Sequence, residues 1–218
     1  MTGTDPRVHQ VRLAEFEVPV RLRQMRLGES RRESEEAHAF VDNLRDHLVT
    51  KNRSPKNFPK DLSGIGKGLL WAGPPGTGKT MEATKTLLEC YYRWNVPVHF
   101  IAFPDYISSR KEQWSLEHKP EGGDRWWDIQ RRIEAVRTSP VLMIDEVGKQ
   151  QDGPTRFAAG ELDTLLRQRH RDGLPTLITT NDAPKEWATL YNESMGSFLK
   201  EAFTIIPMTK EDRRGRRA

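Results

Sequence analysis

Eight consecutive residues, Gly73-Pro74-Pro75-Gly76-Thr77-Gly78-Lys79-Thr80, carry the spacing G-x-x-x-x-G-K-[ST]. Glycines at such positions let the backbone curl around an anion with its N–H groups turned inward. The N-terminus of a following helix adds positive potential. The amine of Lys79 is suited to reach the β- and γ-phosphates of a nucleotide, and the Thr80 hydroxyl to ligate magnesium. ATP with Mg2+ is the ligand that this pattern predicts. A chance glycine-rich turn is the competing reading, but it does not account for the flanks. Leu69, Leu70 and Trp71 precede the loop as an apolar strand, and Met81, Thr84, Leu87, Leu88 and Tyr91 follow at helical spacing.

A second chemical cluster lies downstream. Val141-Leu142-Met143-Ile144 is an apolar strand that runs into Asp145-Glu146. In a parallel sheet the C-terminal ends of strands line the ligand crevice, so this acid pair is expected to face the phosphate loop. Asp145 is placed to hold the metal together with Thr80. Glu146, one residue on, is placed to orient or deprotonate a water aimed at the γ-phosphate. Strands also commonly end in polar turn residues, which is the bland alternative. A further strand, Leu177-Ile178-Thr179-Thr180, ends in Asn181. Its amide is suited to touch both the attacking water and the γ-phosphate, unless Asn-Asp merely starts a turn. The predicted catalytic set is Glu146, Asn181 and Lys79.

The elements that must carry these residues alternate along the chain. Expected strands are Gly68–Ala72, Val98–Phe103, Val141–Ile144, Thr176–Thr179 and Thr204–Pro207. Expected helices are Lys79–Tyr92, Asp124–Arg137, Phe157–Arg171 and Pro184–Tyr191. An earlier helix is predicted from Ala37, Phe40, Val41, Leu44 and Leu48, which fall on one face. Strand–helix alternation implies an α/β fold, a parallel sheet with helices on both faces. Residues 50–68 read as a loop from their Pro and Gly content. The last residues, Lys210 to Ala218, read as a frayed basic tail.

The whole chain has 218 residues, 35% hydrophobic and 30% charged, enough for one α/β domain with a full core. No apolar run approaches the ~20 residues of a membrane span. Met1–Gln10 is polar and unlike a signal peptide. A single cysteine, Cys90, excludes an intrachain disulfide, so a cytoplasmic location is expected. Lys plus Arg outnumber Asp plus Glu by 35 to 31, which permits a polyanionic partner without requiring one.

Taken in order, Gly73–Thr80, Ile144-Asp145-Glu146-Val147-Gly148, and Leu174-Pro175-Thr176 running to Asn181 resemble the AAA+ ATPases of the DnaC/IstB group. These are bacterial and phage helicase loaders and transposition helper ATPases. Val18-Pro19-Val20-Arg21-Leu22 is similar to the short Pro–Arg segment ahead of that group's core, and Asp212-Arg213-Arg214 to its ending. The resemblance implies a P-loop NTPase of AAA+ type in which residues 1–14 form a polar arm. Residues 15–209 would then be the ATPase core with a lead-in helix, and 210–218 the basic tail. It gives Lys79 and Thr80 to nucleotide and metal, Asp145 and Glu146 to hydrolysis, and makes Asn181 the polar sensor. It also implies as partners a replicative helicase and single-stranded DNA, with self-assembly on either. Two departures stand out. Loaders of the group usually carry an extra N-terminal domain. Their Ser-Arg-Leu tripeptide, whose Arg reaches a neighbour's γ-phosphate, reads Ser197-Phe198-Leu199 here. Phe198 thus stands where the Arg is expected, with Lys200 close by, and slow hydrolysis follows as an expectation. The 37 residues after Asn181 leave no room for a large helical lid.

Outside the nucleotide motifs, residues 125–137 divide by face. Trp126, Ile129, Ile133 and Val136 form a buried stripe, while Trp127 aligns with Gln130, Arg131 and Glu134. An exposed Trp127 near Arg125 and Arg131 would stack on unpaired bases while the cations hold phosphates. Packing of Trp127 beneath the 121–123 loop is the alternative. Arg167, Arg169 and Arg171 are further DNA-contact candidates, or simply a solvated helix face. The leading functional expectation is a DnaC-like helicase loader. An IstB-like transposition helper, an ATP-gated adaptor with little turnover, and a small-molecule kinase are the rivals.

Overall fold

The computed structural model describes residues 12, 14–27, 34–48, 65–117, 123–148 and 155–209. Five strands form one sheet: β1 (Gly68–Ala72), β2 (Val98–Ala102), β3 (Val141–Val147), β4 (Thr176–Thr180) and β5 (Phe203–Pro207). All neighbours run parallel, in the order β2-β3-β4-β1-β5. From β1 the chain crosses to the far edge at β2, and from β4 it passes over β1 to β5. The strand order therefore reverses direction between β4 and β1, which is where such sheets open a ligand crevice.

Period-two alternation sends side chains of each strand to opposite faces, and both faces are covered. Leu69, Trp71, Phe100, Val141, Met143 and Leu177 share a core with helix α3 (Lys79–Trp94) through Ala83, Leu87, Leu88 and Tyr91. Helix α1 (Glu35–Asp42) adds Ala37, Phe40 and Val41 to that layer, and the short α2 (Leu44–His47) adds Leu44. On the opposite face Leu70, Ala72, Ile101, Leu142, Ile144 and Ile178 meet α4 (Phe103–Glu117) and α6 (Arg156–Arg171). The short α7 (Trp187–Leu190) and α8 (Glu193–Ala202) complete this layer. Helix α5 (Gly123–Thr138) buries Ile129, Ile133 and Val136 as its spacing predicts, while Trp126, expected in the same stripe, is half-buried.

Side chains stop the helices where backbone donors run out. Ser34, Thr155 and Asn192 accept from the N–H groups of Ala37, Ala158 and Met195, closing the first turns of α1, α6 and α8. Each such cap contributes ~1 kcal/mol. The lead-in segment is anchored by charge as well as packing. Arg132 grips the Glu17 carboxylate with Nε at 2.7 and 2.9 Å and Nη2 at 2.5 Å, and Phe100 N donates to Phe16 O at 2.9 Å. The second contact occupies part of the outer edge of β2. Ser34 N donates to the buried Glu82 carboxylate at 2.9 Å, tying the start of α1 to α3 three residues beyond Lys79.

Several expectations need correction. Two helices, α4 and α8, were not expected. In α4 the buried positions include Ser109 and Gln113, which blunt the apolar pattern. In α8 the signal was present, since Met195, Phe198, Leu199 and Ala202 repeat at helical spacing and are all buried. The predicted helix Pro184–Tyr191 is a 3-10 turn, Pro184–Glu186, followed by α7. Arg169 is fully buried and faces no phosphate-accessible surface. Its guanidinium donates to the carbonyls of Val136, Arg137, Ser139 and Pro175 and to Thr176 Oγ1, at 2.9–3.1 Å. It thereby satisfies the last carbonyls of α5, which no helical N–H can reach. The N-terminal residues 1–11 and the basic tail 210–218 lie outside the described residues. β5 ends at Pro207, two residues before the last described position.

Candidate functional site

The phosphate loop leaves β1 at the crevice, held on both sides. Gly73 N donates to Thr180 O on β4 at 3.3 Å, and Met208 N, just after β5, donates to Ala72 O at 2.7 Å. A Cβ on Gly73 would lie 2.1 Å from Met208 O, so only glycine fits this pinch. Gly76 and Gly78 take φ of 80° and 95°, the left-handed turns that fold the loop back on itself. Thr77 Oγ1 donates to Pro74 O at 2.9 Å and braces the curve. Lys79 Nζ donates to the carbonyls of Gly73 and Pro74 at 2.6 and 2.7 Å. The amine is thus held over the mouth of its own loop, where a phosphate would compete with two carbonyls for it.

The two clusters predicted from sequence meet. Thr80 Oγ1 donates to Asp145 Oδ1 at 2.9 Å, bridging 65 residues of sequence. The same Oδ1 also accepts from Thr179 Oγ1 on β4. Burial raises the Asp145 carboxyl above its ordinary range, while the Thr179 and Thr80 hydroxyls oppose that shift. Glu146 is half-buried with φ of 60°, a left-handed conformation rare for a side chain of its size, and its N–H donates to Thr179 Oγ1 at 3.0 Å. Asn181 follows directly on β4 and is exposed at the end of that strand. The loop, Asp145, Glu146 and Asn181 therefore all stand at the C-terminal ends of three adjacent strands, β3, β4 and β1. Thr179 was missed as a site residue. In sequence it is one of three threonines in a five-residue strand, and nothing there singles it out from Thr176 and Thr180.

These residues fit a magnesium nucleotide. Thr80 and Asp145 already place two oxygens of the right type side by side, and the left-handed Gly76 and Gly78 curl the adjoining loop back on itself. Among the described residues no group of three or more His, Cys, Asp or Glu could hold a metal on its own.

Phe198 is not at the surface. It is 6% exposed, packs edge-on to His170 and Phe203, and carries the Arg167 guanidinium over its ring at 4.6 Å. It is a core residue, and the position offers no route to a neighbour's phosphate. Trp127, by contrast, is 61% exposed, edge-on to Trp126 at 4.6 Å between ring centres. Its two flanking cations are engaged with carboxylates, Arg125 with Glu112 and Arg131 with Asp128, on the protein surface. Arg167 pairs with Asp163, and Arg171 is exposed. Trp114 forms a second exposed aromatic, stacked on Phe157.

A parallel sheet of order 2-3-4-1-5, with a phosphate loop after β1 and an acid pair near the end of β3, defines a P-loop NTPase. Residues 68–206 match the AAA domain (dynein-related subfamily), and the chain belongs to that family. The replicative helicase loader DnaI of Bacillus subtilis (strain 168) is 28% identical over 128 residues, covering 57% of this chain and 36% of that protein. An ATP-dependent zinc metalloprotease FtsH of Metamycoplasma arthritidis (strain 158L3-1) is 38% identical over 139 residues, 62% of this chain and 16% of its own length. The chain thus spans about a third or less of these curated relatives. The crystal structure of the DnaC helicase loader superposes with a TM-score of 0.65 at 21% identity, over 87% of this chain and 99% of that one. The fold is that of the DnaC-type AAA+ domain. No described helix is long and apolar enough to cross a membrane.

Proposed function

We propose that this chain binds and hydrolyses ATP with Mg2+ and acts as a DnaC-like helicase loader on a replicative helicase and single-stranded DNA. The observation that carries the ATPase reading is the meeting of Thr80 and Asp145 beneath the phosphate loop, with Glu146 one residue on. The loop N–H groups and Lys79 would bind the phosphates, and Thr80 and Asp145 would hold the metal. Bound magnesium would neutralise charge on the β- and γ-phosphates. Glu146 would take a proton from water, and Asn181 would orient that water and register the γ-phosphate.

The loader reading is supported by the fold likeness to DnaC and the sequence likeness to a protein named as a replicative helicase loader. The exposed Trp127, with Arg125 and Arg131 beside it, supports contact with unpaired bases. The decisive experiment mixes the purified chain with the replicative helicase of its own host and follows co-elution by gel filtration, with ATP and without nucleotide. Stable, nucleotide-dependent co-elution is expected. Failure to associate under either condition, alongside tight binding to duplex DNA, would move the chain to the IstB-like transposition helpers.

A further inference from the structure

The strand pairing around the acid pair contains an irregularity. Ile144 on β3 pairs with Ile178 on β4, and pairing resumes at Val147 with Thr180. Two residues, Asp145 and Glu146, therefore stand opposite Thr179 alone. This is a bulge, and such an extra residue interrupts the ladder, leaves a backbone group unpaired and re-aims side chains. At this point the Glu146 N–H donates to a side chain of the facing strand, Thr179 Oγ1, at 3.0 Å. The same hydroxyl spends its own proton on Asp145 Oδ1. One buried hydroxyl, 1% exposed, thus serves both members of the pair, as acceptor for one and donor for the other.

We propose that Thr179 is the positioning residue of the hydrolytic site, its hydroxyl closing the β3 bulge and so setting the direction of Glu146 and the orientation of Asp145. This rests on the reading of Glu146 as the group that acts on water. A non-glycine residue at φ of 60° persists only where its surroundings hold it. The Thr179 bond is attached directly to that residue's amide. The next contacts along the two strands keep the arrangement in register. Asp182 N donates to Thr180 Oγ1 at 3.0 Å, and the Asp182 carboxylate lies so close over Gly148 that an added Cβ there would sit 1.8 Å from Oδ2. Thr179 is also two residues from Asn181, so a movement of the sensor strand passes to Glu146 through a single hydrogen bond. A hydroxyl, rather than any side chain of similar volume, is the required feature. Valine would fill the space and satisfy neither partner, while serine would satisfy both.

The test compares wild type, Thr179→Val and Thr179→Ser in the full chain. Turnover is measured with saturating ATP and Mg2+, affinity with a fluorescent ATP analogue, and exchange of the Glu146 amide by hydrogen–deuterium exchange. Thr179→Val is expected to lower kcat ~10-fold or more, to leave nucleotide Kd within about threefold, and to speed exchange at Glu146. Thr179→Ser should restore both kcat and protection. In a Glu146→Gln background the valine change should cost much less than it does in wild type, because its effect through Glu146 is already lost and only that through Asp145 remains. Wild-type exchange and turnover in folded Thr179→Val would overturn the proposal, as would a serine variant as impaired as the valine one. If the wild-type chain hydrolyses no ATP, the ATPase reading fails by itself, and the exchange of the Glu146 amide still decides whether Thr179 closes the bulge.

Discussion

Thr80 and Asp145, 65 residues apart in the chain, lie 2.9 Å apart between hydroxyl and carboxylate oxygens. Thr80 is the second residue of α3, Asp145 lies near the end of β3, and β4 supplies the Thr179 hydroxyl that shares the same carboxylate oxygen. Part-buried near the C-terminal ends of the inner strands, this contact joins the loop to Asp145 and, through it, to the neighbouring Glu146. Its consequences can be measured.

Lys79→Ala should abolish ATP binding. The amine is the main cation of the loop, and the carbonyls of Gly73 and Pro74 that now hold it cannot replace its charge. Equilibrium titration with a fluorescent ATP analogue checks this. Wild-type affinity in the variant would remove the phosphates from this loop.

For Glu146→Gln the expected result is retained ATP binding with turnover reduced roughly 10²-fold, the scale of a lost general base. Single-turnover hydrolysis separates the two effects. Unchanged turnover would place water activation elsewhere.

Phe198→Arg restores the tripeptide arginine in sequence, but the geometry predicts damage. The side chain is buried among His170, Phe203 and the Arg167 guanidinium, so a second cation would be forced into apolar surroundings beside the first. A loss of more than about 3 kcal/mol is expected, seen as a lower denaturant midpoint. Wild-type stability with faster, concentration-dependent hydrolysis would mean that residue 198 turns outward in an assembly.

His99 gives the fold an acid-sensitive point. It is 4% exposed on β2 beside Glu17 and Arg132, and burial pushes its pKa down from 6.5 to about 4, against the opposing pull of Glu17. Above pH 6.5 both folded and unfolded chains hold the ring neutral, and the contribution to stability is complete. As pH falls from 6.5 towards 4, the unfolded chain takes the proton and the folded one does not. Stability should fall across that window, by about 3 kcal/mol in all. Urea unfolding from pH 7 to pH 4 measures the slope, and His99→Gln should flatten it. An equally steep slope in the variant would assign the acid sensitivity to other groups.

Trp127→Ala should weaken single-stranded DNA binding by about 1–3 kcal/mol, the usual loss of one base-stacking aromatic. Arg125 and Arg131 must exchange their carboxylate partners for phosphates, so binding should fall steeply with salt. Fluorescence anisotropy with a labelled oligonucleotide reads both. Undiminished affinity in a folded variant would make Trp127 a bystander.

The parts of this protein legible in its sequence are those whose physics is local. A strand, a glycine-rich turn and a helix stand next to one another at Gly68–Trp94, so the phosphate loop and its frame are both visible there. Short apolar runs mark the five strands to within a few residues, because β1 to β4 are buried along nearly their whole length. Helix α4 escaped because Ser109 and Gln113 occupy buried positions, and α8 because Ser197-Phe198-Leu199 was read as a displaced motif rather than as part of an apolar stripe. What only the tertiary structure decided are the contacts that cross between elements. Arg169 and Arg171 are the same residue type two positions apart on one helix. Yet one is sealed under α5 by five hydrogen bonds and the other faces solvent, since 3.6 residues per turn puts them on different sides. Thr179 likewise reads as an ordinary strand residue until β3 is laid beside β4 with one residue too many. Sequence carries the identity of Asp145 and Glu146, but a bulge exists only between two paired strands, and the hydroxyl that closes it comes from the other one.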